Sequence, residues 1–142
     1  MPTRIQRKRT AGWTAPLDAQ GRKPVYVGRG TRWGNPFAVD RNGDRWRVVD
    51  TGDRSRSLRD EPQTFARNDK PMALFFASRL FDLHTGPLGL YEYDPATLTE
   101  LRAELGGRDL MCWCPTPEPG EPDYCHAVVL LHRANQSEET TR

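Results

Sequence analysis

The three cysteines of this 142-residue chain lie close together in the sequence and next to a histidine. Cys112 and Cys114 are separated by one residue, and Cys125 is followed directly by His126. Three thiolate sulfurs and one imidazole nitrogen form a ligand set that closed zinc sites commonly use. The spacing is less specific than a pair of Cys-x-x-Cys motifs, because neighbouring residues on a helix diverge by about 100°. The cluster predicts a zinc site. Its candidate ligands are Cys112, Cys114, Cys125 and His126.

Two other interpretations of the cysteines stay open. Free cysteine is among the most buried residue types, so the three thiols could be inert core residues. Alternatively, Cys125 is a nucleophile activated at a helix N-terminus, with His126 or His132 as its partner. In that case Cys125 and His126 are the candidate catalytic residues. A zinc deaminase is excluded, because the chain has no His-x-Glu and no Pro-Cys-x-x-Cys pattern.

A second segment that could bind a ligand is the glycine- and arginine-rich stretch 28–37, which follows the β-rich residues 25–27. Glycines allow a ligand to approach the backbone closely, and loop amides beside arginine can hold a phosphate. Trp33 offers a ring for stacking on a base, and the amide of Asn35 could read a base edge. The candidate residues of this anion- or nucleotide-binding site are Gly28, Arg29, Gly30, Arg32, Trp33, Gly34 and Asn35. The alternative is a rigid turn anchored by its aromatic residues, with the arginines in solvent.

The elements that must hold these segments are predicted from periodicity and capping signals. Residues 71–83 are apolar almost all round and form the best predicted helix, central to the core, with Asp69 as its cap. A second helix begins at Asp94-Pro95 and ends near residue 105. A third helix runs from about 125 to 135, after a short strand over 109–114.

The strand over 109–114 has a direct consequence for the cysteines. Side chains alternate along a strand, so Cys112 and Cys114 face one side and Trp113 the other. The proline-rich loop that follows can bring the third helix back beside the cysteine side. The thiols and the imidazole are then expected at one junction between a loop and a helix.

The fold class follows from the order of the elements. Asn42-Gly43 predicts a hairpin with residues 45–49 as the returning strand, and strands mixed with helices indicate an α/β fold. We expect one small domain, residues 25–135, in which a short sheet is packed by about three helices. Three further segments are expected: a basic extended arm (1–24), a charged loop excursion (about 40–68) and a disordered polar tail (136–142).

The charges are distributed unevenly along the chain. The formal net charge is only +2, from 21 Lys and Arg against 19 Asp and Glu. Residues 1–59 hold 14 basic and 5 acidic residues, whereas residues 60–142 hold 7 basic and 14 acidic residues. This asymmetry suggests that the N-terminal part meets an anionic partner such as a nucleotide or nucleic acid. The alternative is that the two halves attract each other.

The sequence also limits where the protein acts. No apolar run approaches the roughly 18 residues of a membrane span, and no apolar stretch follows the basic N-terminus as in a secretory signal. Since three cysteines cannot all pair within one chain, we expect reduced thiols and a cytoplasmic location.

Several motifs occur together in a fixed order. They are RIQ at 4–6, TxGW at 10–13, VYVGR at 25–29, WGNPF at 33–37, CWCP at 112–115 and CHA at 125–127. The combination resembles a family of small bacterial and bacteriophage proteins that is catalogued only as a domain of unknown function. The resemblance covers most of residues 4–135 outside the charged excursion. It implies that the motifs belong to one site or one scaffold, and it brings no established activity.

Three functional hypotheses follow. The first is a nucleotide- or nucleic-acid-directed enzyme, in which the glycine/arginine loop holds phosphate and Cys125 or a metal-bound water supplies the nucleophile. The second is a non-catalytic, zinc-stabilised module that binds DNA or RNA through phosphate contacts. The third is a regulatory protein whose basic half docks on an acidic protein surface.

Overall fold

The structure, a computed structural model, describes residues 2–51 and 63–136. These contain six strands and three helices. The strands are β1 (Arg4–Gln6), β2 (Val25–Tyr26), β3 (Phe37–Asn42), β4 (Arg45–Asp50), β5 (Gln63–Phe65) and β6 (Leu110–Cys112). The helices are α1 (Lys70–Thr85), α2 (Pro95–Leu105) and α3 (His126–Ala134). The predicted α/β class and the three helices are confirmed, but the strands form two three-stranded sheets instead of one short sheet.

The chain divides into two compact units. Unit 1 combines Met1–Gly34 with Tyr93–Arg142, and unit 2 is Asn35–Glu92. Residues 52–62 of the predicted excursion and residues 137–142 of the predicted tail lie outside the described part of the chain. The predicted limits of the arm and of the single domain stay predictions.

Unit 1 is built on a parallel sheet in the order β1-β6-β2. The central strand β6 pairs with β1, where Gln6 is opposite Cys112, and with β2, where Tyr26 is opposite Met111. Parallel strands are usually buried on both faces, and Leu110 and Cys112 of β6 are buried accordingly. The predicted extended arm therefore contributes an edge strand, which its short polar sequence did not reveal.

Two helices complete unit 1. The carboxylate of Asp94 accepts the amide of Thr97 at 2.8 Å and caps α2, as predicted. Helix α3 packs against α2, β6 and β1. Leu101 and Leu105 of α2 and Leu130 of α3 are fully buried, so the predicted apolar stripes of both helices lie in the core.

Unit 2 is an antiparallel sheet in the order β3-β4-β5, with α1 packed against its strands. The predicted hairpin at Asn42-Gly43 is confirmed, with Gly43 at a φ of +64°. Phe37 and Val48 form the core with Ala73 and Ala77 of α1.

Helix α1 departs from two predictions. Asp69 stands at its N-terminus, but the Asp69 side chain forms no capping hydrogen bond. The helix also lies less centrally than its apolar sequence indicates, because one sheet covers only one stripe of a helix. Four of its large apolar side chains are exposed: Met72, Leu74, Phe75 and Leu83. Within the described residues, no helix has the length and apolar character needed to cross a membrane.

Candidate metal centre

Three side chains in unit 1 bring potential metal ligands to one point. The ligand atoms of Cys112, Cys125 and His126 all lie within 4.8 Å of one another. Cys112 ends β6, whereas Cys125 is the residue before the first turn of α3 and His126 begins that helix. They meet because α3 packs against β6. The three residues are only 5%, 3% and 6% exposed, so a cation held there is shielded from solvent.

Cys114 lies at the edge of this group. Its Sγ is 3.7 Å from the Sγ of Cys112, which agrees with the prediction that the two thiols face the same side. The Cys114 thiol also interacts with the thiol of Cys125. Cys112, Cys125 and His126 form the compact triplet, and Cys114 as the fourth ligand stays a prediction.

The backbone fixes which nitrogen of His126 faces the thiols. The Nε2 atom lies 2.8 Å from the carbonyl oxygen of Val27, and a carbonyl can only accept, so Nε2 carries the proton and donates it. In a neutral imidazole Nδ1 is then unprotonated, and it lies 4.0 Å from the Sγ of Cys125. Metal-binding histidines usually donate their other N–H to a carbonyl or carboxylate in this way.

The acceptor of this bond is itself held by the sheet. The amide of Val27 donates to the carbonyl of Met111 at 2.9 Å, next to Cys112 on β6. The position of the imidazole is therefore set by the same strand that presents the first thiol.

The buried thiols share their protons unequally. Hydrogen bonds from Cys114 and Cys125 lower the pKa of Cys112, although burial opposes this. Hydrogen bonding to Cys112, together with burial, raises the pKa of Cys125. A raised pKa and 3% exposure both argue against Cys125 as a nucleophile for an external substrate, since the thiolate is the attacking form. A cation would instead replace the shared protons, because metal ligation requires deprotonated thiols.

Arg4 on β1 is a positioning residue that the sequence analysis did not assign to the site. Its guanidinium donates two hydrogen bonds from Nη2 to the carboxylate of Asp123, at 2.7 and 2.8 Å, and the Arg4 side chain is 3% exposed. The same guanidinium donates to the carbonyls of Cys114 and Pro115, and Asp123 accepts the amide of Cys125 at 3.1 Å. Arg4 thus ties the loop between β6 and α3 to the sheet.

The charge of Arg4 is secured by its surroundings. Burial lowers the pKa of Arg4, but the hydrogen bond to the Asp123 carboxylate opposes this, and the pKa of Arg4 lies above its ordinary value. Sequence spacing gives no hint of this role, because 119 residues separate the two partners. The only signal was the position of Arg4 in the RIQ motif.

The glycine/arginine loop closes on itself. The amide and hydroxyl of Thr31 both donate to the carbonyl of Gly28, at 3.3 and 2.7 Å, and the amide of Gly34 donates to Thr31 at 3.1 Å. Gly30 has a φ of +87°, which favours glycine. Arg29 is exposed at the rim of this turn. Residues 28–34 therefore form a compact turn, and the amides of Thr31 and Gly34 already have partners.

Trp33 and Arg32 are held by helix α2. Trp33 is 3% exposed, and its Nε1 donates to the carboxylate of Glu104 at 2.7 Å. The guanidinium of Arg32 lies 4.5 Å from the centre of the indole and forms an ion pair with Glu100. The predicted stacking of Trp33 on a base has no open face in this conformation. The arrangement matches the alternative of a turn anchored by an aromatic residue.

Asn35 belongs to unit 2. Its side chain accepts the amide of Phe37 at 2.8 Å and donates to the carbonyl of Ala77 at 3.3 Å. The amide group that was predicted to read a base edge thus holds the start of β3 against α1.

Residues 5–136 match the family described as Domain of unknown function (DUF4326). The chain belongs to this family. Neither the curated proteins nor the solved structures contain a match to the chain. The resemblance drawn from the motifs is confirmed, and the family name brings no activity to this DUF4326 chain.

Four of the six sequence motifs of this DUF4326 chain meet in unit 1. The RIQ motif supplies Arg4, the VYVGR motif supplies the carbonyl of Val27, and the CWCP and CHA motifs supply the thiols and the imidazole. The hydrogen bond between His126 and Val27 joins two motifs that lie 99 residues apart. The motifs that surround the cysteines thus belong to one scaffold.

The CWCP motif of the DUF4326 chain also presents a basic and aromatic surface. Trp113 lies between the two cysteines, with the guanidinium carbons of Arg7 and Arg9 at 4.9 and 4.8 Å from the centre of its ring system. Arg7 also lies 5.0 Å from the centre of the Tyr26 ring. In the described part of the chain, neither guanidinium has a hydrogen-bond or ion-pair partner. We call Arg7, Arg9, Tyr26 and Trp113 the Trp113 surface.

Proposed function

We propose that this DUF4326 protein is a zinc-stabilised module that binds nucleic acid. The observation that carries the proposal is the position of Trp113. It lies between Cys112 and Cys114 and carries two guanidinium groups on its ring, and neither group has a carboxylate partner among the described residues. One short segment thus connects the metal centre to a basic surface.

The ligand set supports zinc as the metal. Thiolates combined with an imidazole suit zinc better than magnesium or calcium, which prefer oxygen ligands. The residues fit the metal, because three donor atoms already lie within 4.8 Å and Nε2 of His126 is fixed by Val27. Zinc supplies a cross-link between β6 and α3 when it is bound. Burial favours a closed, structural site over a catalytic one, which keeps a position open for water.

The chemistry of the Trp113 surface supports nucleic acid as the partner. A guanidinium is a planar fork that matches the oxygens of a phosphate. When it stacks on an aromatic ring, its N–H groups at the edge stay available to a ligand. Lys8 and Arg9 are exposed, and Arg7 is half-buried. Binding then depends on phosphate contacts and needs no particular base sequence.

The alternative of a thiol-dependent enzyme has less support. The candidate nucleophile Cys125 is buried, and the pKa of its thiol is raised. Trp33, the residue predicted to stack on a base, is buried, and its Nε1 donates a hydrogen bond to the carboxylate of Glu104. The geometry favours binding over turnover.

The proposal is tested by titrating fluorescein-labelled oligothymidylate and duplex DNA with the zinc-loaded, full-length protein at several salt concentrations. We expect the logarithm of the binding constant to fall linearly with the logarithm of salt concentration, and the double variant Arg7→Gln/Arg9→Gln to reduce this slope by about 1.4 on single strands. Arg79, an exposed residue of α1, is the matched control position. Binding that is independent of salt, or equal slopes in the Arg7/Arg9 and Arg79 variants, would contradict the proposal.

A further inference from the structure

We propose that unit 2 carries a second phosphate-binding surface, centred on Trp46 of β4. This inference rests on the proposed function and extends it to a part of the chain remote in sequence from the metal ligands. Arg41 and Lys70 both contact the Trp46 ring system, at 5.3 and 4.8 Å from its centre. We call these three residues the Trp46 surface.

The Trp46 surface is built by two elements. Arg41 on β3 is the cross-strand partner of Trp46 on β4, so the hairpin places the guanidinium beside the indole. Lys70 begins α1 and approaches the same ring. The Nε1 of Trp46 donates to the carbonyl of Arg67 at 2.9 Å, which fixes the ring orientation.

Both cations are available to an anion. Arg41 and Lys70 are exposed, and neither forms an ion pair with any residue in 2–51 or 63–136. One Nη of Arg41 donates to the carbonyl of Gly43 at 3.4 Å, and the guanidinium has further N–H groups for a ligand. The nearby Arg47 differs, because its guanidinium donates to the carboxylate of Asp40 at 2.9 and 2.8 Å. The carboxylates adjacent in sequence, Asp44 and Asp69, form no ion pair with Arg41 or Lys70 in the described residues.

A contrast within the molecule makes the inference specific. The indole of Trp33 also carries a stacked guanidinium, that of Arg32, but Glu100 neutralises it. Within residues 2–51 and 63–136, the cations at Trp113 and Trp46 have no ion-pair partner. Stacking of a cation on an indole is therefore common in this chain, whereas stacked cations without a described carboxylate partner occur at Trp113 and at Trp46.

The Trp46 surface fits the phosphate backbone of a nucleic acid. The ring faces are in contact with the cations, so the indole orients the charges and is not itself the platform for a base. An arginine and a lysine at one ring offer a planar fork and a point charge to adjacent phosphate oxygens. The contact therefore adds affinity and salt dependence without sequence preference.

The test compares single variants that each remove one positive charge from the zinc-loaded, full-length protein. Arg41→Gln and Lys70→Gln are expected to lower the slope of binding constant against salt by about 0.7 each on oligothymidylate, and the double variant by about 1.4. Arg79→Gln, on α1 in the same unit, is the matched control and is expected to leave the slope near that of the wild type. Trp46 is retained in all variants, and unchanged thermal unfolding confirms that they fold.

The outcomes separate this inference from the proposed function. If Arg7→Gln/Arg9→Gln lowers the slope while Arg41→Gln/Lys70→Gln behaves like the control, the Trp46 surface is overturned and the proposed function stands. A wild-type protein that binds neither oligonucleotide in a salt-dependent way overturns the proposed function itself. Equally tight binding to poly-glutamate would show an acidic protein partner and would also overturn the phosphate assignment.

Discussion

The Nε2 atom of His126 lies 2.8 Å from the carbonyl oxygen of Val27, and this hydrogen bond joins the end of β2 to the start of α3. It directs Nδ1 to the side of the thiols, because the carbonyl holds the other nitrogen in its protonated form. The imidazole is thus prepared for a cation by the backbone of the sheet.

Replacing His126 is expected to remove the metal. In His126→Ala, the bound zinc measured by atomic emission should fall from one equivalent to near zero, because one of the buried ligands is lost. Loss of a buried hydrogen-bond partner for Val27 adds a destabilisation of about 1–3 kcal/mol. His132→Ala is the control, since His132 is exposed on the same helix and bonds to Gln136. Equal metal content in the two variants would refute the role of His126.

Breaking the Arg4–Asp123 pair is expected to destabilise unit 1. Arg4→Gln leaves the carboxylate of Asp123, which is 23% exposed, without its main partner, and loss of a charged hydrogen-bond partner typically costs about 1–3 kcal/mol. Zinc affinity should fall as well, because Asp123 holds the amide of Cys125. Arg47→Gln, which breaks the more exposed pair with Asp40, should have a much smaller effect in urea unfolding. The reverse order of the two effects would show that Arg4 does not hold the loop.

Parts of the candidate metal centre and of the fold follow from local rules in the sequence. The predicted strand over 109–114 places Cys112 and Cys114 on the same side, and their sulfurs are 3.7 Å apart, although β6 ends at Cys112 and Cys114 lies in the loop that follows. Asp94 and Pro95 predict the start of α2 because capping depends on neighbouring residues only. The local signals at Asn42-Gly43 were equally sufficient for the hairpin.

The remainder depends on contacts between residues far apart in sequence. The pair Arg4 and Asp123 spans 119 residues, and the bond from Trp33 to Glu104 spans 71. Sequence patterns show that Trp33 is aromatic and beside glycines, but its burial is decided by α2. The edge strand β1 was missed for the same reason, because its pairing with β6 is long-range.

A side chain at residue 28 is expected to destabilise the protein while the Tyr26 ring is present. A Cβ atom at residue 28 would overlap the Oη of Tyr26, so Gly28→Ala must displace the phenol ring. We expect a loss of about 1–3 kcal/mol in the free energy of unfolding, in the range of other overpacked sites. In a Tyr26→Ala background the added methyl group should cost little. An equal loss in both backgrounds, measured by urea unfolding, would place the clash elsewhere.

Tyr93 is expected to make unit 1 sensitive to alkaline pH. Burial raises the pKa of Tyr93 from 10.0 to about 12, against smaller opposing effects of Arg133 and Arg32. The unfolded chain therefore loses this proton first, so the stabilisation is complete below pH 10.0 and is lost as the pH rises to about 12. The full loss corresponds to roughly 2–3 kcal/mol.

The Tyr93→Phe variant isolates this effect from the titration of other groups. Its stability should fall less steeply than that of the wild type between pH 10.0 and about 12, as measured by urea unfolding at several pH values. Parallel curves for the two proteins would show that the phenol of Tyr93 ionises as it does in the unfolded chain.

The most direct test of the account is the metal environment of the protein purified under reducing conditions with zinc present. Zinc K-edge X-ray absorption should show one bound zinc per chain, with three sulfur ligands at about 2.3 Å and one nitrogen at about 2.0 Å. A protein that binds no stoichiometric metal under these conditions, or whose zinc has only oxygen and nitrogen ligands, would contradict the assignment of the cysteine and histidine cluster as a closed zinc centre.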